Sequence, residues 1–303
     1  MTSSALATTP TATLDRFAPD VDAVAGGWLS GYRNTNTRAA YRRDLQDFAT
    51  WCAGHGADLL TAPEELLNLY AADLEGLSRA TQARRLSALS SFYKYATRRG
   101  FTAANPAAYL TRPRTSNESP TLGMDKAQAV AFLEVAETAG PRDYALACLL
   151  MLNGLRVSEA LALDLEGIYS ERGHHVVEVL GKGDKSRKVP LDPRTVHAIE
   201  LAGEGREAGP VLTDSEGERL NRYQAARIVT RLARAAGVPN PGKITPHSCR
   251  HTFVTLSLDA GVPLHKVQDG AGHASPETTR RYDRARGALE GAATYRLAAF
   301  LGE

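Results

Sequence analysis

A tyrosine set among arginines is either an exposed residue on a solvated basic helix or a nucleophile facing an anion that the arginines hold. Tyr282, beside Arg280, Arg281, Arg284 and Arg286, poses that choice. Tyrosine titrates at about pH 10, so as a nucleophile it needs its proton removed or its phenolate stabilised, and nearby cations favour the charged form. Nine residues before it stands His273, directly after Gly272, and further back His247 and Arg250 lie three residues apart. The stretch from Thr245 to Tyr282 thus holds candidate donors and a candidate nucleophile.

Helices must position them. Thr245 suits an N-cap and Pro246 the first helical position, so a helix is predicted to begin there. At about 100° per residue, His247, Arg250, His251, Val254 and Leu258 share one side, and Cys249, Phe253, Leu256 and Ala260 the other. The second stripe is expected to be core and the first to carry the chemistry. His251 is read as structural. Ser275 and Pro276 repeat the cap-and-proline start, which puts Tyr282 two turns into a short helix.

Two further cations stand upstream. Arg156, in Gly154-Leu155-Arg156-Val157-Ser158-Glu159, lies between the nearly all-apolar helix expected over 141–153 and a second apolar segment, where an unpaired cation would be expensive. It is either ion-paired, to Glu159 or Asp164, or a guanidinium fork held for an anion. Two strand-like runs, His174–Leu180 and Arg187–Leu191, are joined by G-K-G-D-K-S, which leaves Lys182 at the tip of a hairpin. A lysine in a turn is ordinarily just solvated. That loop matches neither G-x-x-x-x-G-K-[ST] nor G-x-G-x-x-G, and no H-E-x-x-H or acidic metal constellation occurs, so no nucleotide or metal cofactor is expected.

The 303 residues, 43% hydrophobic, suffice for two ordinary cores. Cys52, Cys148 and Cys249 stand singly, which suggests neither a disulfide framework nor a zinc site and fits a reducing cytoplasm. The longest apolar run, Ala145 to Leu152, is too short to span a bilayer, so no membrane partner is expected, and the Ser/Thr/Ala-rich residues 1–19 are expected to be disordered.

A net charge of +2 hides an uneven distribution. From Gly76 to Asn117 there is no acidic residue, while Arg79, Arg84, Arg85, Lys94, Arg98, Arg99, Arg112 and Arg114 give a local +8. Such a run is either a solvated face or a nucleic-acid contact; Leu86, Leu89, Phe92, Tyr93 and Ala96 beneath it make an amphipathic helix whose basic, Ser/Thr-rich side suits a phosphate backbone. Residues 20–110 read as a small all-helical domain, 111–120 as a Pro/Arg/Thr/Ser linker, and 121–303 as a second, α+β domain.

In chain order these pieces are G-L-R-x-S-E, G-K-G-x-K-x-R-x-V-P, H-x-x-R-H, G-H and T-T-x-x-Y. The series resembles the tyrosine recombinase/integrase family, which includes the Xer recombinases and phage integrases. The likeness is firm from about Thr121 to Arg286 and looser over the N-terminal helices, which look like that family's core-site-binding domain. It implies a mainly α fold with a small β-hairpin or sheet, the two domains forming a C-shaped clamp on double-stranded DNA. By position, Arg156 and Arg250 would be the catalytic arginines, Lys182 the hairpin lysine, His247 and His273 the histidines and Tyr282 the nucleophile of a 3′-phosphotyrosyl intermediate, with neither metal nor ATP. Glu159 would orient these side chains rather than act as a base, and Arg79, Arg84, Arg85, Lys94, Arg98, Arg99, Arg280 and Arg281 would contact DNA. The likeness also implies a homotetramer on two duplexes with inverted-repeat core sites, each subunit donating a C-terminal helix at about 286–301.

Ala271 and Cys249 depart from the larger apolar residues the family often has there, which touches local packing rather than chemistry. The length leaves no room for an added arm-site-binding domain. A mobile-element integrase and a Xer-like resolver of chromosome or plasmid dimers both fit, the T-T-R-R-Y-D-R wording leaning to the former. A non-cleaving DNA-binding protein of the same fold and a type IB topoisomerase are the alternatives. The full set of candidate catalytic residues stands against the first, the Xer-like motifs and two-domain length against the second.

Overall fold

The computed structural model describes residues 20–113, 123–180 and 186–272. Residues 1–19, most of the expected linker, Lys182, and everything from His273 onward, with Arg280, Arg281, Tyr282 and the expected C-terminal helix, lie outside them. Eleven α-helices and three strands occur among the described residues, and the chain divides into two compact units, Met1–Ser116 and Asn117–Glu303. None of the described helices is long and apolar enough to cross a membrane.

The first unit is helical: α1 (Val21–Ser30), α2 (Thr35–Gly54), α3 (Glu64–Asp73) and α4 (Arg79–Arg98). Side chains of Asp20, Asn34 and Ser78 cap α1, α2 and α4 by accepting otherwise unpaired backbone N–H groups. The predicted stripe of α4, Leu86, Leu89, Phe92, Tyr93 and Ala96, is buried, and its first four residues pack with Trp28, Phe48, Leu67 and Tyr70 into one aromatic-rich core. Trp28 meets Phe92 edge-on at 5.5 Å and Phe48 meets Tyr70 likewise at 4.8 Å, the arrangement that ring quadrupoles favour.

The second unit begins with α5 (Lys126–Ala139), whose Asp125 and Gln128 form a reciprocal capping box, and α6 (Pro141–Met151), whose residues from Asp143 onward are all buried. After α7 (Val157–Leu161) come β1 (Ile168–Glu171), β2 (His174–Leu180) and β3 (Ser186–Leu191), an antiparallel sheet in that order. The sequence predicts β2 and β3 but not β1. That strand is four residues long, and its turn, Arg172-Gly173, has both residues left-handed (φ 51° and 80°) without the Asn-Gly wording that signals such a hairpin. Helices α8 (Pro193–Gly203), α9 (Arg222–Ala235), α10 (Pro246–Asp259) and α11 (Leu264–Ala271) complete the described unit.

Helix α11 is not predicted from sequence either. Glycines interrupt its end, and its apolar signal is only Leu264, Val267 and Ala271. It changes the reading of α10. Cys249 joins the main core, as expected, but Val254 and Leu258 on the other stripe are also buried, packed against Val267 and Ala271. Phe253 and Leu256 are only half-buried and Ala260 is exposed. With α6 on one side and α11 on another, α10 is a central helix rather than a half-solvated one.

Candidate active site

Helix α6 ends in a turn that only glycine can make. Gly154 has φ +59°, and a Cβ there would lie 2.3 Å from the Phe253 ring. The turn delivers Arg156 in extended conformation to the N-cap of α7, so that Glu159, one turn on, reaches back to it. Glu159 Oε2 accepts from the Arg156 amide at 2.9 Å and Oε1 from Arg156 Nη1 at 2.7 Å. The expected ion pair of Arg156 is therefore with Glu159, while Asp164 pairs with Arg219 instead.

Arg187 of β3 supplies the other half of the cluster, its Nη1 and Nη2 donating to Glu159 Oε1 and Oε2 at 3.0 Å each. Every oxygen of the carboxylate thus accepts twice, once from each arginine residue, which fills the roughly four lone-pair sites a carboxylate has. Burial alone would raise the Glu159 pKa, but the Arg187 fork, then the Arg156 amide and guanidinium, overcome it and hold the carboxyl at about 2. A carboxylate so placed is an orienting group, with no lone pair left for a proton. Sequence reasoning names Arg187 only as a motif letter. The signal was there: in a strand it shares a face with Val189 and Leu191, both buried, and an arginine on a core-facing position needs an acid.

Arg156 has a second anchor, Nη2 donating to the Gly272 carbonyl at 2.7 Å. Of the five N–H donors of a guanidinium, two are engaged in this way and about a third of the side chain is open to solvent. Arg250, by contrast, is buried, its two Nη groups donating to the carbonyls of Gly154 and Ala271. It reaches them because Thr245 and Pro246 start α10 as predicted, and Ser248 adds a capping box with Thr245. The two arginines are thereby tied to the same two turns, at 154 and 271–272. Gly272 ends α11 in the left-handed region (φ +61°), and a Cβ there would lie 2.7 Å from Arg187 Cζ.

His247, one turn before Arg250 on α10, is exposed. Partial desolvation, then the charges of Arg250 and Arg156, lower its pKa below the ordinary 6.5. His251 is half-buried, its Nδ1 lying 3.3 Å from Thr255 Oγ1 and 2.7 Å from where a Gly123 Cβ would stand; its pKa is lowered by desolvation and then by His247. Burial pushes the Cys249 thiol up to about 12, so this residue is packing. Among the described residues no cluster of His, Cys, Asp or Glu has the makings of a metal site. Guanidiniums fixed by carbonyls and a shared carboxylate, one of them partly open, have the chemistry to receive an oxyanion.

On the first unit, Arg79, Lys94, Arg98 and Arg99 are exposed, and the latter two guanidiniums lie 5.9 and 5.8 Å from the Tyr95 ring centre. Arg84 and Arg85 are placed otherwise, paired with the buried Asp44 and with Asp47 on α2.

The sequence family described as "Phage integrase family" matches residues 123–287, and the one described as "Phage integrase, N-terminal SAM-like domain" matches 28–100. Over 258 residues the chain is 38% identical to tyrosine recombinase XerC of Pelobacter propionicus, covering 82% of this chain and 84% of that protein. A lambda integrase dimer bound to a COC′ core site shares the fold with a TM-score of 0.71 at 17% identity, over 88% of this chain and 95% of that one. XerH bound to palindromic difH substrate in a post-cleavage complex shares it with a TM-score of 0.63 at 23% identity, over 81% and 72%.

Proposed function

The chain belongs to the phage integrase family and is a site-specific tyrosine recombinase, and from that premise we propose that Tyr282 is its nucleophile, served by Arg156, Lys182, His247, Arg250 and His273. The Tyr282 hydroxyl oxygen attacks the scissile phosphorus, forming a 3′-phosphotyrosyl bond as the bond to the 5′-oxygen breaks. Negative charge on the non-bridging oxygens is met by Arg156 and Arg250, with His273 donating a further hydrogen bond. Fixed donors of this kind are worth about a hundred- to a thousandfold each in rate. His247, kept neutral near pH 7 by its lowered pKa, accepts the tyrosine proton. Lys182 gives its proton to the leaving 5′-oxygen. A 5′-hydroxyl of the partner duplex then reverses the step, and since the phosphotyrosyl link conserves the bond energy, neither ATP nor a metal is required.

The observation that carries this reading is the double anchoring of Arg156. One anchor is Glu159 and the other is the carbonyl of Gly272, the residue next to His273, so the arginine and the chain leading to His273 and Tyr282 are tied together while part of the guanidinium stays open.

The finer assignments follow from the same premise. Residues 20–110 bind the core site through Arg79, Lys94, Arg98 and Arg99, and 121–303 catalyse, with Arg280 and Arg281 beside the nucleophile contacting DNA. An inverted-repeat site offers two equivalent half-sites, as the palindromic substrate of XerH does. Two subunits per duplex and a homotetramer on two duplexes, joined by the helix at about 286–301, are the corresponding assembly. The work takes place in the cytoplasm, on DNA of the cell or of a mobile element.

Covalent capture tests the assignment. The protein and a Tyr282→Phe variant are incubated with DNA from around the gene, denatured in SDS, and the attached DNA is sequenced. Wild type is expected to retain one short inverted-repeat site and the variant none. Equal capture by both would overturn the role of Tyr282, and native binding without any capture would favour a non-cleaving protein. Sites at the ends of an integrated element, or a single site on a circular replicon, separate integration from dimer resolution.

A further inference from the structure

Arg187 touches no proposed reacting atom, yet it contacts both partners that hold Arg156. We propose that Arg187 is a positioning residue for DNA cleavage, setting the Arg156 guanidinium through Glu159 and the Gly272 turn by direct contact. The inference rests on the reading of Arg156 as a phosphate-binding arginine.

Three observations support it. First, Arg156 and Glu159 alone would be an isolated ion pair that cancels the charge an incoming phosphate needs. With Arg187, two guanidiniums share one buried carboxylate, which leaves +1 on the three groups together. Second, the contact is a two-pronged fork onto both oxygens of Glu159, so it fixes the plane of the carboxylate and with it the direction of Arg156 Nη1. The buried Nε of Arg187 makes no hydrogen bond among the described residues, so the guanidinium is placed for its fork and not for its own full satisfaction. Third, the Arg187 guanidinium fills the space where a side chain at Gly272 would be, and Gly272 is the residue whose carbonyl holds Arg156 Nη2. Arg187 is itself fixed by the β2–β3 ladder, where it pairs with Val179, and its strand follows the segment that carries Lys182. One side chain therefore keys the strand after Lys182, the arginine on α7 and the turn before His273 to each other.

The test uses the full chain and the DNA site recovered by covalent capture, with enzyme in excess and the covalent complex quantified over time. Arg187→Met is expected to slow its formation about ten- to a hundredfold, the cost of slightly misplaced catalytic groups, with site affinity kept within about threefold. Arg187→Lys, which keeps the charge but not the fork, falls between. Arg156→Lys/Arg187→Met is expected to be no more than about threefold slower than Arg156→Lys alone, because a residue acting through Arg156 has little left to act on. The inference fails if Arg187→Met cleaves at the wild-type rate, if its loss equals its loss of DNA binding or folded protein, or if the double variant shows the full product of the two single losses. Should Arg187→Met not fold, Arg187→Lys alone and with Arg156→Lys decides by the same comparisons. Absence of any covalent complex with wild type would instead overturn the proposed cleavage reaction itself.

Discussion

Two pairs of arginines, one pair in each unit of this chain, are held in different ways. On α4, Arg84 and Arg85 are met by Asp44 and Asp47, full negative charges that cancel them. In the second unit, Arg250 is held by the carbonyls of Gly154 and Ala271, and Arg156 by that of Gly272 and by a carboxylate it shares with Arg187. A carbonyl dipole fixes the direction of a guanidinium without a full countercharge. The first arrangement uses arginine to join two helices, and the second fixes the direction of two guanidiniums while about a third of the Arg156 side chain stays open to solvent. The +8 counted along 76–117 is therefore not a +8 surface.

The largest expected effect strikes the second arrangement. Arg250→Lys keeps the charge but cannot reach both carbonyls, and the rate of covalent capture is expected to fall about a hundred- to a thousandfold. Single-turnover cleavage of the captured site measures it; a loss below about tenfold would mean that the fork is not what matters. Next comes Arg84→Met, which strands the buried carboxylate of Asp44. The expected cost is about 3 kcal/mol of stability, at the low end for a half-broken buried pair because Arg84 is itself partly exposed. Denaturant unfolding reads it, while cleavage by the folded fraction should stay near wild type.

Gly272→Ala tests the turn that both site arginines lean on. The left-handed backbone strains any side chain there, and a methyl group would push the Arg187 guanidinium, 2.7 Å away, out of its fork, so a cost of about 1–3 kcal/mol and slower capture are expected together. The field of the held arginines should also reach a group that they do not bond. His247 titrates below 6.5, because of partial desolvation and then Arg250 and Arg156. Its neutral form is the one the fold favours, so the stability it contributes is complete above the unfolded value of 6.5 and is lost as pH falls through the lower folded value. An NMR titration of the imidazole should move back up towards 6.5 in Arg156→Gln, and no movement would show that the Arg156 charge does not reach it.

What could be read without coordinates follows from how local the signal is. Helices α2, α4 and α6 announce themselves by period, caps and an unbroken apolar run, and the start of α10 by Thr245-Pro246. Glu159 was legible as one of two partners for Arg156, being three residues away, and only packing decided against Asp164, which meets Arg219. Strand β1 and helix α11 were not, being too short to show a period. Nor were the partners of Arg84 and Arg85, since Asp44 and Asp47 meet them only once α2 and α4 pack. Lys182, His273 and Tyr282 were named by motif order, and only chemistry on DNA can test them.

The smallest expected effect separates exposed from cancelled charge on α4. Lys94 is exposed and borders a groove lined by Tyr32, Tyr41, Ser87, Ser91 and Arg112, hydroxyls and a guanidinium suited to a phosphate backbone. Arg85, nine residues earlier, has its charge met by Asp47 at 2.9 Å and donates to Tyr70 Oη at 3.3 Å. If Lys94 neutralises one phosphate on binding, it releases about one counterion. Lys94→Gln should then reduce the slope of log affinity against log salt by about 0.9, with a loss of affinity that is similar on specific and non-specific DNA. Arg85→Gln should leave that slope nearly unchanged and show itself in unfolding, because its charge is already answered within the protein. Equal slopes lost at both positions would mean that DNA pulls Arg85 away from Asp47, and the two classes of arginine would then differ only in the absence of DNA.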